Sequence, residues 1–515
     1  ANETKGRPSV ILAKTVKGYG MGSAAEGMNI AHGVKKVDVN QLKAFRDRFD
    51  LPISDEDVES YSYYKPDENS AEVQYLKEKR AALGGFVPQR REKFSNKLEI
   101  PALSEFESII AGSGDREIST TMAFVRVLNA LLKDKQIGKN IVPIVPDEAR
   151  TFGMEGMFRQ FGIYSSAGQK YIPQDKDQVA FYKEDIKGQV LQEGINELGA
   201  MSSWIAAATS YSVNDYPMIP FYIFYSMFGF QRTGDLCWAA GDQKARGFLV
   251  GGTSGRTTLN GEGLQHEDGH SHILANTIPN CITYDPTYGY EVAVIVQNGI
   301  QRMYGENQED IFYYITTLNE NYAQPAMPEN AQEGIIKGIY KVKTFEAKND
   351  YKVKLLGSGS IFQEAMKAAE ILSKEYDIKV EIYSVTSYNE LTREAQDLER
   401  ENLLNLDATA KTPYIEKVLG SDTDSIIISA TDYMKAYSEQ LRPYIKGNFK
   451  ALGTDGFGRS DSRANLRKFF EVDTNFIVYT TLAELAINGK IDKKVALEAK
   501  NKYEIDTNKI NPRNA

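Results

Sequence analysis

The order of apolar and polar positions along the chain predicts a first segment in which buried strands alternate with helices. Ser119 or Thr120 can cap a helix whose apolar residues recur at helical spacing, and a continuous apolar run follows over 141–145. Runs of this length are typical of strands buried on both faces, so we predict a mostly parallel sheet covered by helices. The other predicted strands of this segment are 218–225, 247–251, 281–284 and 311–318.

A second segment of the same kind begins after the proline-containing stretch 324–330, which we interpret as a domain boundary. A strand at 353–356 leads into a helix that carries Ala365, Ala368, Ala369 and Leu372. The predicted fold class is therefore α/β, with two successive domains. The remaining predicted strands of the second domain are 380–385, 425–429 and 476–479.

The first 115 residues have a different pattern. A strand is predicted at 9–13, so near the start that we expect this chain to be the later part of something longer. The glycine-rich stretch 17–22 follows, and it lacks the Lys-Ser/Thr ending of a P-loop. Residues 41–115 are charged and poor in strand signals, which predicts exposed helices and a linker.

Composition narrows the class of protein. The 515 residues are 42% hydrophobic and 25% charged, as in globular proteins, and the net charge of −9 argues against nucleic-acid binding by bulk electrostatics. No apolar run approaches the roughly 20 residues that span a bilayer, so we expect no membrane partner. Cys237 and Cys281 are the only cysteines. They provide neither a disulfide framework nor a cysteine-rich metal site, and their scarcity favours the reducing cytoplasm.

Candidate chemistry follows the predicted strands, where parallel sheets bind ligands. Asp147 and Glu148 come directly after 141–145, and Tyr225 and Phe228 lie where 218–225 ends. Glu197 begins a helix between them. Glu148 and Glu197 fit a pair of carboxylates, one of which burial adapts to proton transfer, or two ordinary carboxylates at helix starts.

Histidines are few and clustered. Three of the four, His266, His270 and His272, fall within seven residues after the strand at 247–251, and the fourth is His32. The cluster fits a site or a set of hydrogen-bonded loop histidines. His266 to His270 also match the H-E-x-x-H pattern of zinc hydrolases, but that pattern needs a helix, and the surrounding glycines disfavour one.

These segments, in this order, resemble the homodimeric type of pyruvate dehydrogenase first component, a thiamine-diphosphate-dependent family of transketolase type. The resemblance implies a parallel-sheet pyrimidine-binding domain at 116–330 and a transketolase C-terminal-like α/β domain at 331–515. It makes 1–40 the tail of a diphosphate-binding domain with an active-site loop, and 41–115 a helical linker. The matching blocks are 17–22, 29–32, 146–156, 192–199, 220–232, 239–272, 313–322 and 453–463.

The resemblance also implies roles for residues. Glu197 would hydrogen-bond the pyrimidine nitrogen of thiamine diphosphate, with Tyr225 and Phe228 as aromatic contacts and Glu148 and Asp147 beside the cofactor. Catalytic polar groups facing pyruvate would be His266, His32 and Lys17. The family holds magnesium on a Gly-Asp-Gly motif, which these 515 residues lack, so the Mg²⁺ ligands are expected on the missing domain and no metal ligand is expected here.

The expected activity is decarboxylation of pyruvate with acetylation of a lipoyl group on the dihydrolipoyl transacetylase. A homo-oligomer, or a complex with a chain that carries the diphosphate-binding domain, would complete the enzyme. The alternatives are another thiamine-dependent 2-oxo-acid decarboxylase, a transketolase-like enzyme, or a non-catalytic assembly subunit.

Overall fold

The computed structural model describes residues 1–86, 90–147, 149–174 and 182–515, and the chain divides into two compact units, 1–89 and 90–515. In the first unit, helices α1, α2 and α3 each begin after a side chain that accepts a hydrogen bond from the first helical turn, which satisfies otherwise unpaired N–H groups. These capping residues are Asp38, Ser54 and Ser70. The helices are α1 Val39–Arg48, α2 Asp55–Glu59 and α3 Ala71–Ala82.

The strand predicted at 9–13 is wrong. These residues form no ladder with any described segment, and Val10, Ile11 and Leu12 are 82%, 77% and 93% exposed. A run of apolar residues becomes a strand only when a neighbouring strand supplies hydrogen bonds and a surface to cover it. The exposed helices predicted for 41–115 are confirmed by α1 to α3.

The second unit contains two main sheets. All six strands of the first sheet are parallel, and they follow the order β5-β2-β6-β7-β9-β8. Their inner residues are buried on both faces, as predicted from the continuous apolar runs. The six strands are β2 Ile141–Val145, β5 Leu191–Gln192, β6 Ile219–Tyr225, β7 Phe248–Gly252, β8 Cys281–Tyr284 and β9 Phe312–Thr316.

Helices cover both faces of this sheet. Ser119 caps α5, as predicted, and Trp204 of α7 lies fully buried with its indole N–H donating to the Phe248 carbonyl at 3.0 Å. Cys237 and Cys281 are free thiols in the same core. The helices are α4 Glu107–Ile110, α5 Thr120–Lys133, α6 Glu155–Phe161, α7 Glu197–Ala208, α8 Ser210–Asn214, α9 Phe230–Asp242, α10 Ser271–Asn276 and α11 Gly289–Tyr304. Two small ladders accompany them, β1 Glu117–Ile118 with β10 Tyr322–Ala323, and β3 Ile163–Tyr164 with β4 Glu184–Asp185.

The second sheet follows the order β11-β13-β12-β14-β15, with only β11 antiparallel to its neighbour. Its strands are β11 Ile339–Phe345, β12 Asn349–Gly357, β13 Ile378–Val385, β14 Ile426–Ala430 and β15 Asn448–Leu452. Its helices are α12 Ala331–Lys337, α13 Ile361–Tyr376, α14 Tyr388–Leu404, α15 Tyr414–Leu419, α16 Ala436–Glu439, α17 Arg463–Phe470, α18 Thr474–Ile487 and α19 Lys493–Lys502. The α/β fold class is confirmed, while the four domain ranges given above stay predictions.

The strand predicted at 476–479 is wrong, because these residues lie within α18. Asp473 accepts a hydrogen bond from the backbone N–H of Phe476 at 3.0 Å and so begins a helix there. The apolar run continues into Leu482 and Leu485, which are also buried. Four apolar residues cannot distinguish a strand from one side of a helix, and here the cap decides.

Side chains join the two sheets of the second unit. The Asn389 side-chain amide donates to Thr283 Oγ1 at 2.7 Å, and Arg393 donates to the Cys281 carbonyl at 2.6 Å. Both link α14 to β8. Within the described ranges, no helix combines the length and the apolar character needed to cross a membrane.

Candidate functional site

The candidate site lies at the carboxyl ends of the first sheet. β5, β2, β6 and β7 are adjacent and parallel, so the segments that follow them leave the sheet at one edge. The segment after β5 leads to Glu197, and Asp147 follows β2. Tyr225 ends β6, and His266 lies in the long segment after β7. The fold therefore collects four of the predicted residues along one edge.

Glu197 is the first residue of α7. Asn196 caps this helix by accepting the Gly199 N–H at 3.0 Å, which fixes where Glu197 leaves the backbone. The Glu197 side chain is 13% exposed, and its Oε1 accepts a hydrogen bond from Arg232 at 2.5 Å. The Tyr222 hydroxyl donates to the Glu197 carbonyl at 3.4 Å. The carboxylate is thus held in place, with one oxygen on a guanidinium at the surface.

Three rings form a cluster beside this carboxylate. The centroid of His266 lies 4.9 Å from that of Tyr225 and 5.0 Å from that of Phe228, and the Tyr225 and Phe228 rings meet edge to face at 5.8 Å. The Arg232 guanidinium lies 4.0 Å above the Phe228 ring, a cation–π contact. Arg232 therefore connects the Glu197 carboxylate to the ring cluster of Tyr225, Phe228 and His266.

His266 belongs to a segment, 253–270, that we name the histidine loop. Thr253 opens it with φ of 48°, a left-handed conformation that a β-branched residue rarely adopts. The loop then contacts the second sheet. Asp432, which follows β14, accepts from the Thr257 N–H at 2.9 Å and from the hydroxyls of Thr257 and Thr258 at 2.7 and 2.5 Å. These bonds attach the loop to the second sheet and offset the strain at Thr253.

The other two clustered histidines do not join the ring cluster. His270 Nε2 lies 2.8 Å from Gln231 Nε2, and His272 is fully buried, where burial lowers its pKa to about 3. His266 ends a 3₁₀ turn and His270 precedes α10, so the two do not share a helix as the zinc pattern requires. The part of the chain that the structure describes contains no group of three or more His, Cys, Asp or Glu that could hold a metal ion.

The structure describes one of the two remaining predicted carboxylates. Asp147 is exposed and accepts a hydrogen bond from the Gln192 side chain at 3.2 Å, at the edge between β2 and β5. It lines an open cavity of about 410 Å³ with Arg150, Tyr171 and Tyr182 among the other residues. Glu148 lies outside the described residues, so its pairing with Glu197 stays a prediction.

Lys17 and His32 belong to the first unit, where they meet. The Lys17 ammonium lies 3.0 Å from His32 Nδ1, and both side chains are exposed. Between them, Glu26 accepts the N–H groups of Gly20 and Gly22 at 3.0 and 3.1 Å, which folds the glycine-rich stretch around a carboxylate. This turn presents an ammonium and an imidazole close together.

Sequence reasoning missed Arg232 as a site residue. A local signal existed, because Arg232 follows Phe228 by four residues in a region where a helix begins. Its pairing with Glu197, 35 residues away, depends on the contact between α7 and α9. Such a partner cannot be read from spacing.

Comparison with known proteins identifies the two domains of the second unit. Residues 98–325 match the model of the pyruvate dehydrogenase E1 component middle domain, and residues 338–473 match that of the transketolase-like TK C-terminal domain. The chain is 60% identical over 514 residues to the pyruvate dehydrogenase E1 component of Escherichia coli (strain K12), covering 100% of this chain and 57% of that relative. The corresponding protein of Pseudomonas aeruginosa is 61% identical over 509 residues, covering 99% of this chain and 57% of the relative. The chain thus spans little more than half the length of these curated relatives.

Solved structures show the same fold at low identity. A transketolase from Campylobacter jejuni matches with a TM-score of 0.61 and 17% identity, covering 92% of this chain and 62% of that one. A transketolase from Pichia stipitis matches with a TM-score of 0.58 and 15% identity, covering 92% and 62%. These matches confirm the transketolase-type α/β architecture that the sequence predicted.

Proposed function

This chain is related along its whole length to pyruvate dehydrogenase E1 components and carries their middle domain, and from this we propose that it contributes the pyrimidine-binding side of a thiamine-diphosphate site that acts on pyruvate. The observation that carries the proposal is the half-buried Glu197 carboxylate next to the ring cluster. The proposed reaction removes CO₂ from pyruvate and transfers the remaining two-carbon unit to the disulfide of a lipoyl group, which is reduced as the unit is oxidised to an acetyl thioester.

The residues present fit the pyrimidine end of the cofactor. An aminopyrimidine ring needs an apolar surface against its face and a carboxyl group at its edge, and Tyr225, Phe228 and Glu197 provide these. Thiamine diphosphate, when bound, supplies the carbon nucleophile that attacks a 2-oxo acid. The described part of this chain contains no group of three or more His, Cys, Asp or Glu that could hold a metal ion, and we assign the magnesium and diphosphate contacts to the remaining length of the relatives.

Glu197 would hold a proton between its carboxylate and the pyrimidine nitrogen. A carboxylate in a partly buried position shares such a proton more effectively than one in water, because less solvent competes for it. Arg232 occupies one oxygen of this carboxylate and keeps the other available. The ring cluster would shield the same edge from water, and Asp147 and Glu148 would complete the cofactor contacts.

His266, His32 and Lys17 would face the reacting acid. His266 stands at the free edge of the ring cluster, and the Lys17–His32 pair offers two groups that bind a carboxylate or move a proton. Because these residues belong to different units of the chain, we propose their cooperation from the family resemblance alone.

The proposed partners are the lipoyl domain of a dihydrolipoyl transacetylase and a second copy of the enzyme, in the cytoplasm. Free, buried thiols at Cys237 and Cys281 are compatible with that reducing compartment. A transketolase-like transfer between sugar phosphates is the alternative activity, and product analysis with pyruvate and with sugar phosphates distinguishes the two.

The decisive experiment replaces Glu197 in the full-length native protein, supplied with thiamine diphosphate and Mg²⁺. We expect Glu197→Gln to reduce pyruvate decarboxylation by about a hundredfold or more, because the amide cannot exchange a proton in the same way. Glu107→Gln is the matched control, since Glu107 is also the first residue of a helix but lies on the exposed surface. Near-normal turnover in Glu197→Gln, or an equal loss in the control, would remove Glu197 from the mechanism.

A further inference from the structure

Glu267, the residue after His266, has an unusual environment. Its side chain is 1% exposed, yet only one of its two oxygens has a partner among the described residues. Oε2 accepts the backbone N–H of Arg459 at 2.6 Å, and Oε1 has none. A buried carboxyl group with an empty oxygen is costly unless it holds a proton there.

The partner of Glu267 belongs to the second sheet. Arg459 lies in the segment 453–463, which follows β15 and which we name the support loop. The two loops also meet at Gly458, where an added Cβ would stand 2.5 Å from the Leu264 carbonyl and 2.9 Å from the Glu267 Cβ. Leu264 and Glu267 flank His266, so the support loop contacts the chain on both sides of this histidine.

A buried guanidinium completes the arrangement. Arg256, in the first part of the histidine loop, donates to the carbonyls of Thr454 and Gly456 at 2.5 Å and approaches the Glu267 carbonyl at 3.5 Å. Its side chain leaves no room for a side chain at Gly269, where a Cβ would lie 2.4 Å from Cζ. The 3₁₀ turn that carries His266 is therefore contacted by Gly458 at its start and by Arg256 at its end.

We propose that Glu267 is a positioning residue, which sets the place of the His266 imidazole by anchoring the histidine loop to the support loop of the second sheet. The inference rests on the proposed function only in taking His266 as a residue that faces substrate. It assigns the support loop a part in placing an active-site residue, through its contact with the buried Glu267 side chain.

Electrostatics agree with this geometry. Burial, aided by the nearby Asp432 carboxylate, raises the pKa of Glu267 to about 7, although the Arg459 N–H and the Arg256 guanidinium act to lower it. Around neutral pH a large share of molecules therefore carry a proton on this carboxyl group, and the empty Oε1 is the place for it. A glutamine has the same shape and should substitute well.

The first test measures the position of His266 without using activity. Diethylpyrocarbonate acylates accessible imidazoles, and mass spectrometry of peptides from the full-length protein reports the rate at each histidine separately. We expect Glu267→Ala to raise the rate at His266 about fivefold, the population change that losing one hydrogen bond produces. Rates at His270 and His32 should stay constant, and Glu267→Gln should restore the native rate at His266. An unchanged His266 rate in folded Glu267→Ala overturns the proposal.

A second variant carries its substitution in the support loop and changes no titratable group. Gly458→Ala places a methyl group against Leu264 and Glu267, so it should also raise the His266 rate and reduce kcat/KM for pyruvate by about tenfold or more. Gly156→Ala is the matched control, because Gly156 lies in helix α6 with open space around its Cβ position. Equal His266 rates in the two glycine variants would contradict the proposal.

The two proposals fail separately. If the native protein does not decarboxylate pyruvate, the proposed function fails, but the acylation rates still report whether Glu267 positions His266. If the acylation rates change as expected while kcat/KM stays constant, Glu267 anchors the loop but His266 has no part in the reaction. That result overturns the proposal that Glu267 positions an active-site residue.

Discussion

In the second unit, the side chains at the carboxyl ends of the strands are exposed to different degrees in the two sheets. In the first sheet, this edge presents Glu197, Tyr225, Phe228 and His266 as half-exposed side chains. In the second sheet, the residues in the same topological position are buried polar side chains with hydrogen-bond partners, namely Ser358, Ser384, Thr386, Thr431, Asp432 and Thr454. The same architecture therefore leaves side chains partly exposed at one edge and holds a loop of its own chain at the other.

The difference in exposure indicates that the first edge contributes to chemistry and the second edge to stability. Changes at the first edge should alter chemistry and leave the free energy of unfolding nearly constant, because half-exposed side chains contribute little to the core. Changes at the second edge should lower stability, because each removes partners from buried polar groups. The following predictions test this division.

The largest expected effect is at Asp432. Replacement by alanine leaves the Thr257 N–H and hydroxyl without their acceptor and leaves the Thr258 hydroxyl with Ser360 alone, which should lower the free energy of unfolding by about 3–5 kcal/mol. Urea denaturation of the full-length protein measures this loss. Asp432→Asn keeps one acceptor oxygen and should lose less. A loss below about 1 kcal/mol for alanine would show that the second edge is not the structural support we describe.

Asp285, between the two sheets, should make stability depend on pH. It is fully buried, and burial raises its pKa from 3.8 to about 7 even though Thr316 and Tyr433 donate hydrogen bonds to it. The folded protein keeps this proton longer than the unfolded chain does. Its contribution is therefore complete below about pH 4 and is lost as the pH rises through 7, by up to about 4 kcal/mol.

Comparing thermal unfolding of the native protein and Asp285→Asn between pH 4 and 8 isolates this contribution, since Glu267 and His272 titrate equally in both. The native protein should lose more stability over this range than the variant. Parallel curves for the two proteins would contradict the assignment.

The smallest expected effect is at Phe228. Leucine keeps an apolar side chain there but removes the ring that meets Tyr225, His266 and the Arg232 guanidinium. We expect thiamine diphosphate to bind about fivefold more weakly, near 1 kcal/mol, with an unfolding free energy changed by less than about 0.5 kcal/mol. Calorimetric titration and denaturation give the two values. A large loss of stability would place Phe228 with the core instead of the site.

Much of this arrangement was predictable from local sequence. The runs at 141–145 and 281–284 match β2 and β8 residue for residue, because strands buried on both faces have a continuous apolar pattern between polar turns. Once those strands are parallel, the residues after them must share an edge, which is why Glu197, Tyr225 and His266 were found together.

The rest depended on contacts that no local pattern contains. Thr258 and Asp432 are 174 residues apart, and nothing near either one indicates the other. The run at 476–479 became a helix because of the cap at Asp473, and the run at 9–13 has no partner strand among the described residues. A long-range partner thus anchors the histidine loop, and the lack of one among the described residues explains the error at 9–13. The error at 476–479 has a local cause, because the capping Asp473 lies three residues before Phe476.

The two buried thiols have a practical consequence. Burial raises the pKa of Cys237 to about 12 and that of Cys281 well above its usual value, so neither offers thiolate at the surface near neutral pH. Maleimides and mild oxidants attack the thiolate, and the folded chain therefore behaves towards them as if it contained no cysteine. A single cysteine introduced on the support loop would carry a fluorophore at one defined place, with the natural sequence otherwise intact.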